Sequence, residues 1–462
     1  MSIDETVVTA EDEARKQPRI QLDRHGPGYR TDFVQWVDRL HAEAPLAWND
    51  THGGYWFVNG NKDVFEVTRR GAQTLSNDAD VHRQRRGYTG IEIPAPNPEE
   101  RGGVIGGFLE MDPPIQRFYR NALNPYLSPA AVARWQPVLD ELTRAAIDEK
   151  IESGRIDFVE DLANIVPAVL TMAMLGLPLV DWVHYNEPAH ATVYTPVHSP
   201  DYPRVRQMNG EAGMRMLQSI HEIKAQPRPG LLDAIITADL GDHQQDDMEL
   251  IGVAMLLIGG GFDTTTALTA HSLEWLSANP DQRERLIREW DELRDSATEE
   301  FLRYVSPSQG DGRTVAEDVE INGVQLREGD RLWLSWAMAN RDATVFDDPH
   351  TVKLDRRNNR HSSFGLGIHR CIGSNLARAG FKTMLKAVLD RMPDYVCDPE
   401  GAVYYETTQV INGMRHLPAT FTPGRRLGPG LAETIERLQH VVVEQRLAEP
   451  VTVRRDAARS AG

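Results

Sequence analysis

The run Phe364-Gly365-Leu366-Gly367-Ile368-His369-Arg370-Cys371-Ile372-Gly373 sets one cysteine in a glycine-spaced loop just ahead of a helix rich in alanine and leucine. It reads as an iron site. Gly367 before Cys371 and Gly373 after it let backbone N–H groups approach the sulfur and stabilise it as an anion. A thiolate can ligate haem iron, and its basicity pushes electron density towards bound oxygen and favours O–O cleavage. The competing reading is a free cysteine buried as a small hydrophobe in a tight turn.

A second unusual stretch sits upstream. Asp246 to Asn279 carries the longest helical pattern, opened by an Asp246/Glu249 pairing like a capping box and closed by Pro280. Inside it, Gly259-Gly260-Gly261 precedes Phe262-Asp263-Thr264-Thr265-Thr266. Each glycine costs about 1 kcal/mol against alanine in a helix interior, so something must offset the loss. A flat macrocycle against the helix needs residues without side chains, and a hydroxyl beside an acid can relay protons. A kink or a close helix contact with threonine back-bonding is the alternative. Further on, Glu300 and Arg303 stand three apart on one helical face and can form an ion pair.

These sites sit in a chain of 462 residues with no linker, repeat or low-complexity block, which reads as one large domain. The formal charge of −18 argues against general nucleic-acid binding. Two cysteines, Cys371 and Cys397, are too few for a disulfide framework and suit a reducing cytosol. Residues 1–19 are polar, so neither a signal peptide nor a membrane anchor is expected there. The apolar run Ile165 to Val180 is short of the ~18 residues a span needs and reads as a core helix.

Tyr55-Trp56-Phe57-Val58 reads as a strand, followed by a turn and a helix over Lys62 to Arg70. Asp78 to Met111 is loop-like, and Asn186 to Asn209 turns polar and proline-rich, as a mobile segment would. Ser128-Pro129 opens a helix whose face runs Val132, Trp135, Leu139, Leu142 and Ala146. Asn322-Gly323 marks a hairpin between Val319 and Leu326, a small β region in a mainly helical chain.

The ligand loop matches Phe-Gly-x-Gly-x-His-x-Cys-x-Gly at every fixed position, and the chain resembles the cytochrome P450 family, soluble bacterial type, over about 47–422. Gly260-Gly261-Phe262-Asp263-Thr264-Thr265 resembles that family's oxygen-groove motif, and Glu300-Phe301-Leu302-Arg303 its Glu-x-x-Arg. The resemblance implies a mainly α fold with a smaller β region (α+β), with haem b between the long central helix and the Cys371 loop. Cys371 is then the metal ligand, Thr264 a hydrogen-bond donor to the oxygen unit, and Asp263 its supplier of protons from solvent. Gly260 and Gly261 lie against the haem, with Phe364, Gly365 and Gly373 around the sulfur. Glu300 and Arg303 lock the segment before the loop and take no part in the chemistry. Arg120, Arg313 and His369 are the expected propionate partners. The segment from Met111 to Arg120 has Gln116 where the family usually has His, so that contact is expected to lose its charge.

The function implied is a haem-thiolate monooxygenase acting on a lipophilic small molecule of terpenoid or steroid type, with O2 as cosubstrate. Electrons come from NAD(P)H through a reductase and an iron–sulfur ferredoxin, and the enzyme is cytoplasmic. The alternatives are a haem-thiolate peroxygenase or isomerase and a non-catalytic haem sensor; the acid/threonine pair favours the monooxygenase. Arg356, Arg357, Arg360, Arg370, Arg378 and Lys382 form the expected ferredoxin face. Expected pocket walls are Gly106 to Leu109, Val193 to Val197, Leu257, Gln309, Asp311, Val410, Ile411 and Asn412. Residues 1–46 read as a partly irregular N-terminal segment, 47–422 as the catalytic domain, and 423–462 as an extension with an amphipathic helix carrying Leu431, Ile435, Leu438 and Val442.

Overall fold

The Asp246 side chain accepts a hydrogen bond from Glu249 N at 2.8 Å and starts the longest helix, Asp247–Ala278. In the computed structural model, which describes residues 16–26, 28–80, 82, 84–95, 104–196, 198–408 and 410–447, that helix is the spine. It is unbroken through the three glycines. Helices Ile165–Leu175, Trp182–Tyr194, Tyr202–Ala225, Trp290–Val305 and Ser374–Arg391 all pack on it. By length and composition it could cross a membrane, yet most of its apolar stretch is buried inside the fold.

Ile165–Leu175 is the expected core helix, buried at every residue and ended by Gly176 in the left-handed region. The Ser128 helix forms in two pieces. Ser128 caps Pro129–Ala133 through a bond from Ala131 N at 3.3 Å, and a second helix runs Gln136–Asp148. Pro137 has no N–H to continue the first helix, so the chain breaks and restarts. Trp135, Leu139, Leu142 and Ala146 still share one buried face.

The stretch expected to be mobile, 186–209, is mostly helical instead: Trp182–Tyr194 carries Pro188 inside it, and Tyr202 opens the next helix. Burial of Tyr185, Asn186, His190 and Ala191 against neighbouring helices overrides the local composition.

A six-stranded sheet lies beside the helical body, in the order Arg19–Ile20, Leu46–Asn49, Tyr55–Val58, Arg331–Ser335, Gly310–Val315, Leu75–Ser76. Tyr55–Val58 pairs parallel with Arg331–Ser335, with Phe57 opposite Trp333. The hairpin Val319–Ile321 to Val324–Leu326 turns at Asn322 and Gly323, both at positive φ, as an Asn-Gly turn requires. Residues before 47 join this body, since Ile20, Val37 and Leu40 pack with Phe57 and Trp333. At the other end, helix Leu431–Leu447 buries Ile435, Leu438 and Val442 against Gln136–Asp148 and Ile165–Leu175.

Candidate active site

The ligand loop closes on itself. Cys371 N donates to Phe364 O at 2.7 Å, and Gly365 N to Ser362 O at 2.8 Å. Gly367 sits at φ +69°, and a Cβ there would stand 2.7 Å from Thr68 O, so only glycine fits. Helix Ser374–Arg391 follows and packs on the central helix where Gly380 meets Thr265. Cys371 is exposed in the cleft this leaves. Burial of its surroundings pushes the thiol's pKa up, against the opposing pull of the Gly373 N–H and of Arg370, Arg120 and Arg378. The glycines therefore do not by themselves make the expected anion; a coordinated metal ion does that outright.

Midway along the central helix the packing opens. Gly260 is exposed, and a Cβ built on it meets nothing within 4 Å. Thr264, one turn on, shares that open side and donates to Gly260 O at 3.2 Å. Gly261 does not face the cleft as expected. Its Cβ would meet Thr171 Oγ1 at 2.5 Å, so its missing side chain admits the neighbouring helix. Both readings of the glycine run thus hold, one residue apart.

Three basic groups converge at the cleft. The charges of Arg313 and Arg120 add to burial in driving the His369 pKa down, and His369 Nδ1 is buried without a partner. Arg120 is half-buried, and among the described residues it makes no hydrogen bond or ion pair. Such a cluster with an orphaned nitrogen calls for an anion. Haem meets those requirements: propionates for the basic groups, a thiol for the iron, and a glycine face on the opposite helix. Gln116 stands where the family's histidine was expected. It is buried, and its Nε2 donates to Ile368 O at 2.8 Å, fixing the ligand loop. An amide suits a backbone carbonyl, which explains why no charge stands there.

Glu300 and Arg303 are fully buried and paired by two 2.8 Å bonds. Arg303 also donates to Asn340 O, Pro349 O and Thr351 O, while Glu300 accepts from Lys353 N, Arg356 Nε and Asn359 Nδ2. The pair thus staples the segment 340–359 that leads into the ligand loop. Arg356 belongs to this staple and not to a docking face. Arg378 pairs with Glu299 at 2.6 and 2.7 Å, and Lys382 with Asp295 at 2.8 Å. Of the six basic residues, Arg357, Arg360 and Arg370 close no ion pair among the described residues.

The pocket walls divide. Val410 and Ile411 gather with Ala267, Val193, Tyr194 and Tyr405, while Leu257 lies partly buried on the central helix. Val197 lies outside the described residues. Gln309 and Asn412 instead line a separate cavity of about 380 Å³ with Arg30, His271 and Trp275. Asp311 is held by Arg313 at 2.8 Å, so it buttresses the basic cluster and is not available to orient a substrate.

Asp263 departs furthest from expectation. It is 1% exposed, not open to solvent, and its Oδ1 meets both His190 Nδ1 and the Tyr405 hydroxyl, the latter at 2.9 Å. Neither partner stood out in the sequence. They lie 73 and 142 residues away, and no local pattern marks them.

The Cytochrome P450 family model matches residues 105–392. A steroid C26-monooxygenase of Mycolicibacterium smegmatis is 29% identical over 411 residues, covering 84% of this chain and 90% of that protein. A linalool 8-monooxygenase of Pseudomonas putida is 27% identical, covering 83% and 94%. Among solved structures, the testosterone complex of CYP109E1 from Bacillus megaterium superimposes with a TM-score of 0.73 at 28% identity, covering 89% and 99% of the two chains.

Proposed function

We propose, because this chain belongs to the cytochrome P450 family of monooxygenases, that it inserts one oxygen atom from O2 into a lipophilic small molecule of terpenoid or steroid size. It is an oxidoreductase. The observation that carries the reading is the setting of the ligand loop: an exposed Cys371, a His369 nitrogen buried without a partner beside Arg120 and Arg313, and a bare Gly260 on the central helix.

Haem b, when bound, supplies the redox chemistry at iron. The protein holds and shapes it. Cys371 Sγ is the iron ligand, and Arg120, Arg313 and His369 take the propionates. Phe364, Gly365 and Gly373 form the loop around the sulfur, and Gly260, with no Cβ, would leave room for a flat macrocycle against the central helix. The Thr264 hydroxyl now rests on Gly260 O; rotated into the cleft, it holds a proton where oxygen is reduced. Asp263 restores that proton. Val410, Ile411 and Leu257 exclude water and favour an apolar body, as in relatives named for steroid and linalool oxidation.

Electrons arrive from NAD(P)H through a reductase and an iron–sulfur ferredoxin, docked on the ligand-loop face, which carries the exposed Ile368 and the basic residues Arg357, Arg360 and Arg370. Cytoplasmic residence accords with two free thiols. The acid/threonine pair and an open basic face favour this reading over a peroxygenase, isomerase or sensor. The test is a spectral-shift screen of steroids and terpenoids on haem-loaded protein, then turnover of the binders under 18O2 with surrogate ferredoxin and reductase. One 18O atom per product molecule is expected. Turnover with peroxide alone and none with ferredoxin would overturn the proposal.

A further inference from the structure

Asp263 cannot draw protons straight from water, because three elements seal it. His190 reaches it from helix Trp182–Tyr194, Tyr405 from the C-terminal hairpin, and the central helix carries it. His190 is the less enclosed partner, with 9% of its side chain exposed against 1% for Asp263. Its Nε2 is buried without a hydrogen-bond partner. The imidazole is therefore tied at one nitrogen to the acid and unused at the other.

We propose that His190 is the positioning residue of the proton supply: its Nδ1–H, held on Asp263 Oδ1, fixes the orientation of the carboxyl that serves Thr264. The inference rests on the monooxygenase reading, in which Asp263 restores the proton held by Thr264.

The charges around the ring favour its protonated form. Burial alone would lower the His190 pKa, but Asp263 and then Glu160, on the turn Val159–Ala163, outweigh it and raise the value. Tyr405 donates to Asp263 at 2.9 Å, and beyond it lies the Tyr194 ring. Arg415 covers the Tyr194 ring, and His416, near Glu160, is bonded to Asp157 at 3.0 Å. Two carboxylates and one distant arginine thus leave the site in favour of an imidazolium.

The test uses haem-loaded protein, with histidine-15N spectra of the ferrous carbon monoxide form. His190 should titrate above about 6.5, and in Asp263→Asn it should fall by about one unit or more. In the second arm, product formed per NAD(P)H consumed is followed from acid to alkaline pH. Wild type should lose coupling as pH rises through the raised His190 value. His190→Gln keeps a donor without a titrating charge, so it should be pH-flat and on the order of tenfold slower at acid pH. Haem content of His190→Gln should match wild type, while its melting temperature should fall, since buried Asp263 loses its charged partner. An ordinary His190 titration unmoved by Asp263→Asn, or a wild-type pH profile in His190→Gln, overturns the inference and leaves the monooxygenase reading standing. Absence of any oxygenated product, with the histidine titration as expected, overturns that reading instead.

Discussion

Cys371 hands its backbone N–H to Phe364 O at 2.7 Å, so the residue that opens the ligand loop fixes the sulfur that ends it. Phe364 is itself clamped, with the Arg378 guanidinium 4.4 Å from its ring centroid. The sulfur is thereby held at the cleft mouth whether or not iron is present.

Cys371→Ser and Cys371→Ala should abolish the long-wavelength band of the reduced, carbon monoxide-bound protein, while Cys397→Ser leaves it intact. Burial pushes the Cys397 thiol up to about 12, so it stays protonated and inert. Retention of the band in either Cys371 variant would remove that residue from the role. Haem-free protein should react with a thiol reagent at one site, Cys371, and loading with haem should protect it.

Arg303→Ala and Glu300→Ala should each yield protein with little haem. Removing either partner strands a buried charge at a cost of roughly 3–5 kcal/mol. It also releases the carbonyls of 340, 349 and 351 or the donors of 353, 356 and 359. Pyridine haemochrome content and melting curves check this. Full occupancy with wild-type melting in both would make the pair ornamental.

The parts of this site legible from sequence were those with local spacing. The ten-residue loop, the glycine run, the i,i+3 pair and the Asn-Gly hairpin each carry their geometry within a few residues. What sequence could not carry was which neighbour a side chain meets. Gly260 and Gly261 are adjacent and alike, yet a rotation of about 100° between successive helix positions sends one to the cleft and one to Thr171. Gln116 reads as a contact by its place in a motif, and Asp311 and Arg356 by residue type, yet each is taken by a partner more than one element or one strand position away. His190 was invisible because the composition around it argued for a mobile segment, and only tertiary burial makes that segment a helix.

Those two glycines predict opposite failures. Gly260→Leu should keep or slightly raise the stability of haem-free protein, since a helix interior gains about 0.5–1 kcal/mol on losing glycine, but haem uptake should collapse. Gly261→Leu should lower the melting temperature of haem-free protein, because its Cβ enters Thr171. Equal haem occupancy in Gly260→Leu and wild type would place the cofactor elsewhere.

Acid should loosen the ligand loop through Glu299. Burial would raise its pKa, but hydrogen bonds from Arg378 and His361 dominate and hold it at about 2, against an ordinary 4.5. A depressed carboxylate stabilises the fold above its unfolded value, and that contribution disappears as pH falls from about 4.5 towards 2. Glu299→Gln should be less stable than wild type at neutral pH and converge with it only below pH ~2. Circular dichroism against pH reads the difference; parallel curves at all pH values would show that solvent screens the pair to nothing.

Thr264→Ala should retain haem, substrate shift and electron uptake but divert much of the reducing power into hydrogen peroxide. The hydroxyl stands on the open side of the central helix, one turn from Gly260, and donates to the Gly260 carbonyl at 3.2 Å. Losing that bond costs the helix little, because a threonine bonded back to its own helix adds no stability. What disappears is the one hydroxyl of the motif that faces the cleft, for Thr265 and Thr266 are buried, and Thr266 is bonded to Ala163 O. Reduction of oxygen needs electrons alone at first, whereas productive cleavage needs a proton delivered in place, on the order of 10²–10⁴ in rate. Without it, reduced oxygen leaves as peroxide. Product formed per NAD(P)H consumed, with peroxide assayed in parallel, measures the split. Thr264→Ser should recover most of the coupling, since it returns the hydroxyl without the methyl. Wild-type coupling in Thr264→Ala would leave the threonine as a back-bonded helix residue and nothing more.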